Sequence, residues 1–386
     1  MVKITIDKKV FNSALQMLLQ VGGVKSIGAT PNENTRLDIY QTSISMVATS
    51  GINMAVINDI PIEVLEGDIT EYLGKPLMLH TKKFATASKG AGDRVNLHIN
   101  GDKVKIGASD RAFILDSYEV TKNDPSPVSL FDYTIETKEL KNIFSELGLL
   151  TYSKIASGSA QDGAVFNGKE AFGVVAAGGL KYFDTKIFTL ESSEDNTLVA
   201  IHPDFFSACL AKTTEKEVTP GMTEDKSKVV LKVGNCYLYK AITLDTEFPF
   251  RSTDDVIKKA QGSRQAGNSV KTTVNVKEFM DNLKDVNEVI ESESYNLKLT
   301  ATNITIGSAN VKVGAKGSIN MPAATQIPVP NLESVNGTYK YEHLLLIGSL
   351  FTEDEVEMCM DINQNGEAQN LFVENETKIY LFRPIA

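Results

Sequence analysis

Val2-Lys3-Ile4-Thr5-Ile6-Asp7-Lys8-Lys9-Val10-Phe11 changes its hydrophobic period partway along. Through Ile6 the apolar residues alternate, as in a strand with one buried face. Beyond Lys8, Val10, Ala14, Met17 and Leu18 recur on one helical face. Asp7 stands between the two patterns, where a carboxylate can accept from the first unpaired amides of a helix. The same junction returns at Leu79-His80-Thr81-Lys82-Lys83-Phe84, Ile135-Glu136-Thr137-Lys138-Glu139-Leu140, Ala200-Ile201-His202-Pro203-Asp204-Phe205, Val274-Asn275-Val276-Lys277-Glu278-Phe279 and Tyr339-Lys340-Tyr341-Glu342-His343-Leu344. Thr81 and Thr137 read as further caps, and Pro203 suits a first helical turn.

Every second junction is equivalent. Positions 6, 135 and 274 lie 129 and 139 residues apart, and positions 79, 200 and 339 lie 121 and 139 apart. A unit that recurs at such a period is a repeated domain, so the chain reads as three tandem copies with two helices each. Between the helices run alternating segments separated by turn residues. Arg36 to Tyr40 faces Ser43 to Val47, and Val95 to Ile99 faces Val104 to Ile106 across Asn100-Gly101-Asp102-Lys103. Leu297 to Leu299 faces Ile304 to Ile306, and Asn167-Gly168 marks another turn. The expected class is α+β, with two helices packed on antiparallel sheet in each copy. The expected domains are 1–124, 128–257 and 269–386, joined by Asn123-Asp124-Pro125-Ser126-Pro127 and by the polar stretch 258–268.

With 386 residues, 42% hydrophobic and 23% charged, the chain has the composition of an ordered multidomain protein. No apolar run approaches a membrane span and the first residues alternate like a strand, so the expected place is the cytoplasm, with no membrane contact. Cys209, Cys236 and Cys359 are far apart and read as reduced, packed thiols. The net charge of -10 argues superficially against nucleic acid, but says nothing about where charges sit.

The helices supply that distribution. Lys9, Asn12, Ser13, Gln16 and Gln20 recur on the polar face of the first helix. In the third, Leu140, Ile143, Phe144 and Leu147 oppose Lys138, Lys141, Asn142 and Ser145; in the fifth, Phe279, Leu283 and Val286 oppose Lys277, Asp281 and Lys284. Over the six helical segments eleven lysines face eight carboxylates, so the rest of the chain is strongly acidic. The candidate phosphate-facing residues are Lys9, Lys25, Lys82, Lys83, Lys89, Lys138, Lys141, Lys212, Lys277 and Lys284. The segment after Thr81, with three of them, is the richest. No helix-turn-helix, zinc finger or RNA-binding aromatic motif is found, and Trp is absent, so the expected partner is double-stranded DNA held without sequence readout.

On this repeat the chain resembles the bacterial DNA polymerase III beta subunit, the beta sliding clamp, as a divergent member. Two short landmarks add to the likeness: Tyr239 through Phe250, with Asp245 ahead of Phe248-Pro249, and the ending Ile379-Tyr380-Leu381-Phe382-Arg383-Pro384-Ile385-Ala386. The resemblance implies a ring, closed head to tail as a homodimer around DNA. That ring would act as a processivity factor, be opened by a clamp loader and be bound by DNA polymerase through short hydrophobic peptides. It also implies a peptide pocket built from Gly179, Leu180, Lys181, Tyr182, Pro249, Phe250, Leu381, Phe382, Pro384 and Ile385. At the family's Asp-Gly-His-Arg-Leu turn, Gly179 keeps the glycine and Lys181 the charge, while Leu180 and Tyr182 depart from it. Burial in a terminal strand is the competing reading of Leu381, Phe382 and Ile385. The implied dimer contacts are Phe113 and Leu115 against Val289 and Ile290, although Phe113 also fits a core position.

No catalytic constellation emerges. His80, His98, His202 and His343 lack partners at ligand spacing, and Gly158-Ser159 and Gly178-Gly179 lack phosphate-loop or dinucleotide signatures. No metal or cofactor is expected. The rival reading is a non-enzymatic structural protein of tandem β-rich domains, such as a virion component; it gives no reason for lysine-bearing helical faces at every repeat.

Overall fold

The computed structural model describes residues 1–23, 34–89, 92–108, 111–120, 124–151, 162–166, 171–177, 180–184, 199–201, 204–241, 268–308, 317–323, 325–326, 332–363, 365–375 and 378–385. Six α-helices occur among them: α1 (Lys8–Gly23), α2 (Thr81–Lys89), α3 (Thr137–Thr151), α4 (Asp204–Leu210), α5 (Val276–Ile290) and α6 (Tyr341–Leu350). Each follows a strand at one of the six junctions, and everything else regular is antiparallel sheet or a 3₁₀ turn. The class is α+β, as the period changes require.

Contacts divide the chain into two compact units: 1–144 with 166–171 and 197–244, and 145–165 with 172–196 and 245–386. Residues 128–257 contribute to both. In the first unit a five-stranded sheet runs Glu63–Gly67, Val2–Asp7, Arg94–Asn100, Lys103–Ala108, Arg111–Asp116. Its hairpin pairs Asn100 with Lys103, and Gly101 sits at φ +58°, where glycine avoids the Cβ clash that penalises other residues. A second sheet joins the first two sequence segments, because Cys236–Ala241 pairs with Asn53–Pro61, opposing Leu238 to Ala55.

The second unit has the same design. A four-stranded sheet runs Ser318–Pro322, Asn303–Ser308, Ser294–Thr300, Ser334–Lys340. In the other sheet the terminal strand Lys378–Phe382 lies between Leu180–Asp184 and Ala368–Glu374, opposing Leu180 to Phe382 and Tyr182 to Tyr380.

The helices are held by their apolar faces. Phe11 on α1 meets Phe84 on α2 edge to face at 5.3 Å, and Phe144 on α3 stacks with Phe206 on α4 at 6.4 Å. Leu140 and Ile143 on α3, and Phe279, Leu283 and Val286 on α5, are buried as their spacing predicts. Val10 is a correction: it is 42% exposed. Ala14, Met17 and Leu18 are buried as expected, and Phe11, Leu15 and Val21 complete the inward stripe of α1, because the Phe11 ring takes the place facing α2.

The caps divide. Asp7 accepts from the Lys9 and Val10 amides at 2.9 and 3.0 Å, as expected. Thr81 is not a cap, since it is the first helical residue, is buried, and shares a hydrogen bond with the Thr35 hydroxyl at 2.8 Å. Thr137 is likewise a buried first residue of its helix. Asn275 caps α5 instead, accepting from the Glu278 amide at 2.9 Å.

Candidate functional site

The lysines chosen by spacing stand clear of the protein's own carboxylates. Lys9, Lys82, Lys83, Lys89, Lys138, Lys212, Lys277 and Lys284 are exposed and Lys141 is half-buried. Among the described residues none of these nine ammonium groups has a carboxylate oxygen within 4.0 Å. Lys25 lies outside the described residues. Some lysines elsewhere are paired: Lys240 is buried with Asp204 at 2.5 Å, Lys271 meets Glu357 at 3.2 Å, and Lys378 is bonded to Glu146.

Their position on the helices is also unusual. Lys9, Lys82, Lys83, Lys138 and Lys277 lie in first turns, and the first turns of α1 and α2 contain no acid. The unpaired amides of a helix start carry partial positive charge, so each cation there costs about 0.3–1 kcal/mol at low ionic strength, while an external anion is attracted. An acid shares the start of α1, α3 and α5, namely Asp7, Glu139 and Glu278, so the cost is unrelieved at α2, the helix start that most favours an external phosphate. Sequence reasoning found the lysines, but could not see that they are unpaired.

The residues named for a partner-peptide pocket are only partly brought together. Gly179, Pro249 and Phe250 lie outside the described residues. Leu180, Lys181 and Tyr182 form a strand beside the terminal one, with Lys181 opposite Leu381. Leu381 and Phe382 are corrected as accessible pocket residues, because they are 2% and 0% exposed. Phe382 is packed against the rings of Tyr339, Tyr380 and His343 at 5.3, 4.9 and 5.9 Å. Pro384 is half-buried and Ile385 exposed, with the Ile385 amide donating to the Thr338 carbonyl at 2.7 Å. The tail is thus tied down by its backbone and open by its side chain.

Of the candidate dimer residues, Phe113 is exposed and Leu115 half-buried on an edge strand, so Phe113 is not core. Val289 is exposed and Ile290 half-buried at the end of α5. Sequence reasoning missed Ile114, which is 63% exposed; an unbroken apolar run on an edge strand is the signal that could have found it.

Cys209, Cys236 and Cys359 are buried and form no disulfide, and burial pushes the thiols of Cys209 and Cys236 up, away from the reactive thiolate form. The Cys359 thiol donates to Glu357 at 3.1 Å, and Glu374 completes a group whose ligand atoms lie within 4.8 Å of one another. Glu357 also takes the Lys271 ammonium, so this carboxylate is already salt-bridged. Burial, then the charges of Lys3 and Lys105, lowers His98. His343 is buried, both ring nitrogens are without a hydrogen-bond partner among the described residues, and it is pushed down to about 4. Among the described residues no helix is long and apolar enough to cross a membrane.

Comparison with solved structures identifies the architecture. The chain aligns with the DNA polymerase sliding clamp of Pseudomonas aeruginosa at a TM-score of 0.72 and 13% identity, covering 100% of both chains. Against the Bacillus subtilis sliding clamp the TM-score is 0.71 at 15% identity, covering 100% of this chain and 99% of the other. Against the DNA polymerase III beta subunit of Thermotoga maritima it is 0.70 at 14%, covering 100% of both. The chain therefore has the sliding-clamp fold over its whole length. No protein-family model and no curated protein matches it.

Proposed function

We propose that this chain, which has the sliding-clamp fold from end to end, is a DNA sliding clamp. It would encircle duplex DNA as a head-to-tail homodimer of three clamp domains per subunit, 1–124, 128–257 and 269–386, and tether polymerases to it. The observation that carries the reading is the set of exposed lysines on repeated helices, unpaired with any described carboxylate and concentrated in first turns. A structural or virion protein would have no use for cations kept in positions that the helices themselves disfavour.

The mechanism is topological and needs no catalytic residue, metal or cofactor. Phosphate contacts without base contacts hold any sequence equally and weakly, so the protein can move along the duplex while closure of the ring prevents escape. Ring closure is assigned to the edge strand Arg111–Asp116, whose exposed Phe113 and Ile114 form an apolar edge that a monomer would need to cover. The facing surface is assigned to Val289 and Ile290. A clamp loader would open that joint. Partner peptides of short hydrophobic character are assigned to the region of Leu180–Asp184 and the tail at Pro384 and Ile385. A replication clamp works in the cytoplasm, with no membrane partner.

The test is topological too. The protein is incubated with nicked circular plasmid, treated with an amine-specific bifunctional cross-linker to seal subunit joints, and washed at high salt. Half of the sample is then cut once with a restriction enzyme. Protein should remain with the circles and leave the cut DNA; equal retention on both would refute encirclement. Light scattering at micromolar concentration should return twice the mass of the chain.

A further inference from the structure

The three helix pairs are unequal in charge. α1 and α2 contain five lysines and no carboxylate. α3 and α4 contain two lysines and three carboxylates, and α5 and α6 contain two lysines and five carboxylates. A repeat that placed equal contact on each domain would show no such gradient.

Pairing within the fold sharpens the contrast. Of the acids on α3 and α4, Glu146 is held by Lys378 and Asp204 by Lys240, in both cases with little exposure, so only Glu139 remains exposed beside Lys138 and half-buried Lys141. On α5 all four carboxylates, Glu278, Asp281, Asp285 and Glu288, are exposed. Asp281 and Glu288 follow Lys277 and Lys284 by four residues, the spacing at which opposite charges attract along a helix. α2 has no carboxylate at any spacing, and its Lys82, Lys83 and Lys89 are all exposed.

α1 and α2 also act as one surface. The Phe11–Phe84 contact at 5.3 Å and the Ser88 hydroxyl donating to Asn12 at 3.3 Å hold them side by side, which puts Lys9 and the three α2 lysines on adjoining helices. We propose that duplex DNA is held asymmetrically: the phosphate contact is made by α1 and α2, and α5 contributes repulsion in place of contact. This rests on the sliding-clamp reading and adds to it which part of the chain grips the backbone. Lys277 and Lys284, chosen by spacing alone, are thereby assigned to screening their own helix.

The discriminating measurement is the salt dependence of binding to a short fluorescently labelled duplex, followed by anisotropy. Each lysine that meets a phosphate contributes about 0.9 to the slope of log affinity against log salt. Lys82→Ala with Lys83→Ala and Lys89→Ala is expected to lower the slope by about 2 to 3. Lys277→Ala with Lys284→Ala should change it by roughly a third of that or less, and Asp281→Asn with Asp285→Asn should tighten binding several-fold at low salt. All the substituted side chains are exposed, so each variant should keep the circular dichroism of the parent. Equal slope losses from the α2 and α5 lysine sets, or no tightening by the Asn pair, would overturn the asymmetry. If the protein is still retained on circles and lost from cut DNA, the clamp reading survives that outcome. No binding of the short duplex by the unsubstituted chain overturns the asymmetry, whereas the clamp reading stands or falls on retention by the circles.

Discussion

Arg111-Ala112-Phe113-Ile114-Leu115-Asp116 and Lys378-Ile379-Tyr380-Leu381-Phe382 are both short strands, each headed by a cation and built of large apolar residues. Phe113 and Ile114 are 50% and 63% exposed, whereas Leu381 and Phe382 are 2% and 0% exposed. The residues do not explain this difference; the neighbours do. The first strand ends its sheet, with Lys103–Ala108 on one side only, while the second is paired on both edges and capped by Tyr339 and His343. Hydrophobic content identifies a strand, but position in the sheet decides whether its side chains stabilise the monomer or wait for a partner.

The largest effect should come from the buried strand. Phe382→Ala is expected to cost about 3–5 kcal/mol, because a cavity opens among Tyr339, His343 and Tyr380. Urea denaturation would show it, and a loss below 1 kcal/mol would remove the contrast with the edge strand. Next is Lys378→Met. Lys378 is bonded to Glu146 and donates to the Leu350 carbonyl at 2.9 Å, so a charge in a mostly buried pair loses its partner, at on the order of 3 kcal/mol. Lys378→Arg should recover part of that loss.

A pH series sharpens the same region. Burial, then the charge of Lys340, pushes His343 down to about 4 from the usual 6.5, so the fold favours the neutral ring. Its contribution is complete above the ordinary value and is lost as pH falls from there towards about 4. Denaturation midpoints between pH 7.5 and 5 should therefore fall less steeply in His343→Phe than in the parent. The smallest effect on stability should come from the edge. Ile114→Lys is expected to stay within about 0.5 kcal/mol of the parent, since that side chain is exposed, while light scattering shifts from dimer to monomer. An unchanged mass would remove the edge strand from the proposed joint.

Much of the fold was legible because period and turn chemistry are local. The six junctions, the hairpin at Gly101 and the buried faces of α3 and α5 all follow from spacing over a few residues. Val10 escaped because Phe11 stands at nearly the same spacing from the rest of the stripe, and only the contact between Phe11 and Phe84 chooses between them. Thr81 escaped for a similar reason: a residue suited to capping was taken by Thr35, which is distant in sequence. The candidate site was legible as lysines of a given spacing. Their freedom from the described carboxylates was not, because Lys240 and Lys378 look no different in sequence from Lys82.

The chain by itself determined the elements, the six strand-to-helix junctions and the placing of cations on helices, all properties of residue type and spacing. Tertiary structure alone decided which strand lies at an edge, which lysines are spent on internal pairs and which apolar tail residues remain accessible. Those depend on partners brought from tens or hundreds of positions away, such as Lys378 to Glu146 and Leu180 to Phe382, and no local period encodes them.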